Sequence, residues 1–401
     1  MLGTSVGAAG ASPAFSFSQH GPFYRLQRRV GLLSETDSGI ARRVALFTLI
    51  AWLPIVLLAA LQGYALNEHH GRAVLLDFSA YAFLIAVAAF VLMQQTSDKR
   101  MAWLIAQFSA RGIVPEASRE CLRQARQMVE RRTGSPLAEG VILIGAYWFA
   151  FVWMQRGAAR VEGGTWLGQI VNGDLQFTLA GWWLLLVALP FFWFLLGRWL
   201  WRFFTWGRLL RDIARCDLRL VATHPDRCGG LAFIGQYPNT YWLFVFAVST
   251  VVAATVLKQV AFGGASLLSF KFALLGLIVF LLLAFVVPLL AFTPVLLKLK
   301  KQGLSRYGAL VSRHNLAFEA RWIDGEPAGS AGEKSLGSPD MSSLADLSAG
   351  YELVRKIRPI PVTKQSIGPL ILAALLPLAV VAATQAPFKQ ILDAIKGLLL
   401  L

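Results

Sequence analysis

The segment Thr223-His224-Pro225-Asp226-Arg227-Cys228-Gly229-Gly230 holds the densest grouping of side chains able to do chemistry. Proline fixes φ, aspartate caps turns, and paired glycines reach backbone geometry closed to other residues. Two readings follow. In one, the segment is a tight turn that returns the chain to the next hydrophobic span. In the other, His224 and Asp226, with Gly229 and Gly230 shaping the backbone, bind a ligand or gate a cytoplasmic mouth. Just upstream, Arg208, Arg211, Arg215 and Arg219 recur at steps of three and four, the spacing of a single stripe along a helix, with Asp212 placed to pair with Arg208 or Arg215. A stripe of four arginines concentrates anions and repels cations.

Metal and enzyme chemistry have weaker support. Cys216, His224 and Cys228 share a loop that Cys121 could approach, but structural zinc sites use close Cys pairs, which the sequence lacks. His69-His70 beside Glu68 reads as a solvated turn. No metal site and no cofactor are expected. The sequence contains no His-Glu-x-x-His pair, no Gly-x-Ser-x-Gly elbow, no Walker phosphate loop and no paired acidic motif of the lipid-phosphate transferases. The tripeptide His224-Pro225-Asp226 is similar to the signature of J-domain co-chaperones, but such a domain needs a further soluble helix, and the next hydrophobic span follows too soon.

Charges within spans are costly and are therefore functional candidates. Asp77 lies near the start of the second span and Glu139 near the start of the third, while Lys258 and Lys271 flank the turn between the fifth and sixth. The expected arrangement is an outer-leaflet ion pair of Asp77 with Lys258 or Lys271, and Glu139 reaching the interface. None sits at mid-bilayer, which argues against an ion-coupled transporter. Hydroxyls at Ser249, Thr250, Thr255 and Thr293 would line a pore, if one exists.

The elements that position these groups follow from composition. Of 401 residues, 56% are hydrophobic and 15% charged, where a soluble domain carries about 25% charged residues; mean hydropathy is +0.57. That excludes a soluble enzyme, a secreted disulfide scaffold and a disordered chain. A membrane helix needs about 20 mostly apolar residues. Six segments meet this: Val44–Leu66, Val74–Met93, Leu137–Met154, Phe177–Leu196, Tyr241–Leu257 and Phe272–Leu297. Ile367–Thr384, with Pro369 and Pro377, is a marginal seventh. Prolines at 54, 190, 288 and 294 read as fixed kinks, tolerated because neighbouring groups satisfy the freed carbonyls. Alternate loops hold 31 of the 38 Lys and Arg residues, so the positive-inside rule places the N-terminus and the large loops in the cytoplasm. Insertion is expected to begin at the first span, without a cleaved signal peptide.

This divides the chain into an N-terminal segment 1–43, a six-span domain 44–297 with cytoplasmic loops 94–136 and 197–240, a basic loop 298–366 with a flexible Gly/Ser/Ala-rich stretch 325–350, and a region 367–401 comprising the seventh span and an amphipathic tail. Glu120–Arg132 has amphipathic helical spacing. Trp199, Trp201 and Trp206, interleaved with Arg198, Arg202 and Arg208, have the composition of an interfacial belt. Cys121, Cys216 and Cys228 are expected as reduced thiols facing a cytoplasm. The net charge of +16, spread between spans, points to anionic phospholipids as partners and not to nucleic acid. With its His224–Gly230 turn and its proline-rich last span and short tail, the chain loosely resembles uncharacterised bacterial multi-pass inner-membrane proteins, a resemblance that implies no activity. The expectation is an all-α polytopic bundle of six or seven spans with basic cytoplasmic helices. Functionally, it is expected to be a homo-oligomeric channel or passive transporter, with anions the candidate cargo that the stripe implies, or else a non-conducting scaffold or sensor that recruits a protein partner at its cytoplasmic face.

Overall fold

Asp77 illustrates how the membrane helices begin. Its carboxylate accepts the backbone N–H of Ser79 at 3.0 Å, satisfying one of the donors left free at a helix start, and α3 (Phe78–Ala110) follows. This helix has 33 residues, about 50 Å at 1.5 Å per residue, against a hydrocarbon core about 30 Å thick. It therefore leaves the membrane still helical. It stops at Gly112, whose φ of 63° lets the Val114 N–H turn back to the Phe108 carbonyl at 3.0 Å.

The structure is a computed structural model and describes residues 21–33, 39–65, 73–158, 165–171, 174–262, 265–324 and 339–384. A short α1 (Pro22–Arg29) precedes α2 (Ile40–Leu61) and α3. Then come α4 (Arg119–Thr133), α5 (Pro136–Ala158) and an antiparallel hairpin of β1 (Gly168–Val171) and β2 (Asp174–Phe177). The fourth span is built from α6 (Leu179–Trp183), one π-helical turn over Leu184–Ala188, and α7 (Leu189–Ala214). Pro190 has no N–H to give the Leu186 carbonyl, and the Tyr147 hydroxyl donates to that carbonyl instead, at 3.3 Å. A 3-10 segment, Ala232–Tyr241, leads into α8 (Trp242–Phe262). Next, α9 (Lys271–Val286) passes through a 3-10 turn at Pro288 into α10 (Thr293–Trp322), followed by α11 (Pro339–Arg355) and α12 (Lys364–Ala383).

Among the described residues, seven helical stretches are long and apolar enough to cross a membrane: Ile40–Leu61, Phe78–Ala110, Pro136–Gln155, Leu179–Ala214, Ala232–Ala261, Leu267–Trp322 and Gln365–Ala383. The chain is an all-α multi-pass membrane protein, and its last proline-rich segment belongs with the other six. Its interior is aromatic. Phe203 packs edge-on against Tyr241, Phe244 and Phe285 at ring-centroid distances of 4.8, 4.9 and 5.0 Å. The indole N–H of Trp199 closes one side on the Phe90 carbonyl at 3.2 Å. Edge-to-face contacts of this kind add to the burial of large apolar surfaces.

Connections gather at the two ends of the bundle. At the basic end, the Arg219 N–H donates to the Ile113 carbonyl and the Arg358 N–H to the Arg227 carbonyl, each at 2.8 Å, while Lys300 Nζ donates to the Ile357 carbonyl at 3.1 Å. At the other end, the Val74 N–H donates to the Tyr64 carbonyl at 3.0 Å, and the Leu179 N–H to Gln62 Oε1 at 3.0 Å. This grouping is the one the alternation of spans requires.

Three expectations change. Residues 339–350 are not a flexible loop but the start of α11. The Gly/Ser/Ala composition masks a helical spacing of Leu344, Leu347, Tyr351 and Val354, and the helix packs on α10. Gly303 allows that approach: a Cβ there would lie 2.7 Å from Val354 Cγ1. Residues 325–338 lie outside the described residues, as does the tail after 384. Second, Cys121 and Cys216 are not free thiols; they form a disulfide, with Cα atoms 6.0 Å apart, that ties α4 to the chain just after α7. Their separation of 95 residues left no local signal of the pairing, and disulfides are rare in reducing compartments. Cys228 is free and buried. Third, the Trp–Arg belt is largely interior: Trp199, Trp206, Arg198 and Arg202 are all buried, because α7 runs through the middle of the bundle and not along its rim.

Candidate functional site

The His224–Gly230 turn is organised around one carboxylate. Asp226 Oδ1 accepts the N–H groups of Cys228 at 2.8 Å and Gly230 at 3.1 Å, and Oδ2 accepts that of Ala232 at 3.0 Å. His224 Nδ1 lies 2.8 Å from Oδ1. Arg227, Gly229 and Gly230 all have positive φ, at 57°, 64° and 100°. At Gly229 a Cβ would also meet Leu299 Cδ2 at 2.7 Å. Burial pushes the Asp226 pKa up, but the three backbone donors and His224 outweigh it and hold the carboxyl below the usual range. Burial, helped by the charge of Asp226 and opposed by Arg358, pushes the Cys228 thiol up to about 11. The turn thus launches the Ala232–Tyr241 segment with its carboxylate already occupied by backbone.

The arginine stripe does not hold as one helical row. α7 ends at Ala214, so Arg208 and Arg211 lie on the helix, Arg215 caps it, and Arg219 sits on the non-helical stretch beyond. All four are exposed. Asp212 pairs with neither Arg208 nor Arg215; it turns toward α4 and meets Arg132 at 3.3 Å.

The ordered charges lie deeper. Glu139 is enclosed by protein: it is buried and sits 3.2 Å from the guanidinium of Arg198. Its other oxygen accepts the backbone N–H of Phe23 at 2.8 Å, so the start of α1 lands on a carboxylate, where a helix favours negative charge. Gly21 is needed there, since a Cβ would lie 2.6 Å from Glu139 Oε1. Arg198 stacks on Phe23 at 4.6 Å and Arg202 on Trp199 at 4.6 Å. Nearby, Arg43 donates to Gln94 Oε1 at 3.2 Å. The signal for this network was the acidic residue just inside a span, which demands a partner; the identity of that partner, 59 positions away, was not readable from spacing.

At the opposite end, Asp77 pairs with Lys258 at 2.7 Å and accepts the Trp166 indole N–H at 3.0 Å. Lys271 lies instead over the ring of Phe272, 5.0 Å away. The pore hydroxyls divide. Thr250 and Thr255 donate to carbonyls of their own helix, at 2.7 and 2.9 Å, while Ser249 is fully buried and Thr293 Oγ1 is buried without a hydrogen-bond partner. Among the described residues, no group of three His, Cys, Asp or Glu side chains could hold a metal ion; His69 and His70 lie outside them. Comparison of the chain with protein families, curated proteins and solved structures gives no match in any of the three.

Proposed function

We propose that this protein is a non-conducting membrane scaffold or sensor of the bacterial inner membrane, with its N-terminus and basic end in the cytoplasm. The observation that carries the reading is the packed aromatic centre of the bundle beneath an ordered basic end. Phe203 and its neighbours fill the interior where a pore through one protomer would run. Above them, α4, the His224–Gly230 turn, α10 and α11 are cross-tied by backbone hydrogen bonds and a disulfide into a platform. The platform presents Arg208, Arg211, Arg215 and Arg219 to solvent, a surface complementary to an acidic protein partner. The channel reading, with anion passage, requires a path between protomers of a homo-oligomer, because the hydroxyls that would line one are engaged within helices or enclosed.

Planar-bilayer recording of the purified full-length protein tests this. Silence across voltage, pH and tension, from protein shown to be folded, is expected. Reproducible current whose anion preference falls in an R211A/R215A/R219A variant would overturn the proposal in favour of the oligomeric pore. In native membranes, site-specific crosslinking from positions beside the four exposed arginines should capture a discrete acidic partner, and a variant with all four changed to alanine should lose it.

A further inference from the structure

Between the end of α4, the start of α5 and the flank of α7 lies a groove of about 550 Å³, within the ~300–1,000 Å³ range of ligand sites. Its walls are apolar, formed by Leu137, Ala138, Val141, Ile142 and Trp201, and its basic-end rim is Arg131 and Arg132. Leu137 is 81% exposed and Val141 69%, so the groove opens toward the side where lipid chains lie. Arg131 is exposed and has no hydrogen-bond or ion-pair partner among the described residues. Arg132 meets Asp212 through one nitrogen, at 3.3 Å, which leaves the rest of its planar fork of donors available.

Behind Ile142 and Trp201, which it shares with the groove, is an inner pocket of about 10 Å³ lined also by Thr133, Glu139, Arg198 and Arg202. That is room for a single water-sized oxygen. Glu139 is matched there by Arg198. Arg202 is different: it is 6% exposed, its ring contact is with Trp199, and Asp98 and Glu139 act on it only through space. A buried guanidinium has five donors in a planar fork suited to phosphate, and none of those of Arg202 makes a hydrogen bond among the described residues.

We propose that this groove binds one anionic phospholipid, its phosphate held by Arg131 and Arg132 with Arg202 behind them, and an acyl chain lying along Leu137, Val141 and Ile142. The groove begins where α5 enters the membrane, the depth at which headgroups meet helix ends, and basic pockets between spans take anionic headgroups there. The inference does not depend on whether the protein conducts.

Native mass spectrometry of the full-length protein, titrated with phosphatidylglycerol or phosphatidylcholine at equal concentration, tests it. The first phosphatidylglycerol bound should exceed phosphatidylcholine in occupancy by about tenfold, a factor worth 1.4 kcal/mol. Arg131→Ala should reduce that preference, R131A/R132A should abolish it, and R208A/R211A should leave it intact. Val141→Trp, which fills the groove without changing charge at an exposed position, should weaken phosphatidylglycerol and phosphatidylcholine alike. An equal loss in R208A/R211A would mean diffuse attraction to the basic end and overturn the site. Full retention in Val141→Trp would remove the chain from the groove, and complete displacement by inorganic phosphate at matched concentration would reassign it to a free anion. Either result overturns the proposal.

Discussion

Arg198 and Arg202 lie near the middle of α7 and are 8% and 6% exposed; Arg208 and Arg211, further along the same helix, face solvent. The residue type is the same, each pair lies about one helical turn apart, and the surroundings are opposite. The inner pair is held by the Glu139 carboxylate and by the rings of Phe23 and Trp199, the outer pair by water. The difference teaches that an arginine on a membrane helix is sorted by what faces it on neighbouring helices. The carboxylates sort in the same way. Glu139 is buried against a buried arginine, Asp226 is partly enclosed by backbone donors, and Asp77, itself buried, meets a partly exposed lysine.

Substitutions should grade along that series. Glu139→Ala leaves the buried Arg198 without its counter-charge and should cost about 3–5 kcal/mol in reversible unfolding in bicelles; a loss below 1 kcal/mol would break the distinction between inner and outer charges. Asp226→Ala frees three backbone N–H groups at a partly buried turn and should cost about 1–3 kcal/mol. That contribution has a defined pH dependence. Because the folded-state pKa lies below the ordinary value of 3.8, the stabilisation is fully present above that value and is lost as pH falls through the folded one. The gap between wild type and Asp226→Ala should therefore be flat at neutral pH and close under acid. Asp77→Ala removes a helix cap, the acceptor of the Trp166 indole N–H and an ion pair whose lysine is 38% exposed, so a loss of about 1–2 kcal/mol is expected in the same assay. The double variant R211A/R215A should stay within about 0.5 kcal/mol of wild type, and a larger loss would show that the outer arginines are structural after all.

Six of the spans and the alternation of the loops were legible because hydrophobic runs and Lys/Arg bias are local and cumulative along the chain, while the proline-rich seventh stayed marginal. So was an ion pair of Asp77 with Lys258 or Lys271, since opposite charges at one edge of the spans have few other partners; which lysine it is came from the structure, where Lys258 makes the contact. The turn at His224–Gly230 was readable as backbone geometry from its proline and glycines. What the sequence hid depends on contacts between distant segments. Nothing near Cys121 announces Cys216, and nothing near Glu139 announces Arg198. The small-residue run before Tyr351 resembles a linker until α10 is there to pack against. Arg202 and the groove beside it were hidden for the same reason, as they exist only where α4, α5 and α7 converge.

The length of α3 has a mechanical consequence. It and α7 are continuous helices that run on past the hydrophobic span at the basic end, and the chain beyond them is joined: Arg219, past α7, bonds to Ile113, past α3, and Cys216, past α7, to Cys121 of α4. A helix longer than the bilayer is thick answers thinning of the bilayer by tilting. Rigid struts with coupled tips cannot tilt independently, so a change in bilayer thickness should move the basic-end tips of α3 and α7 together.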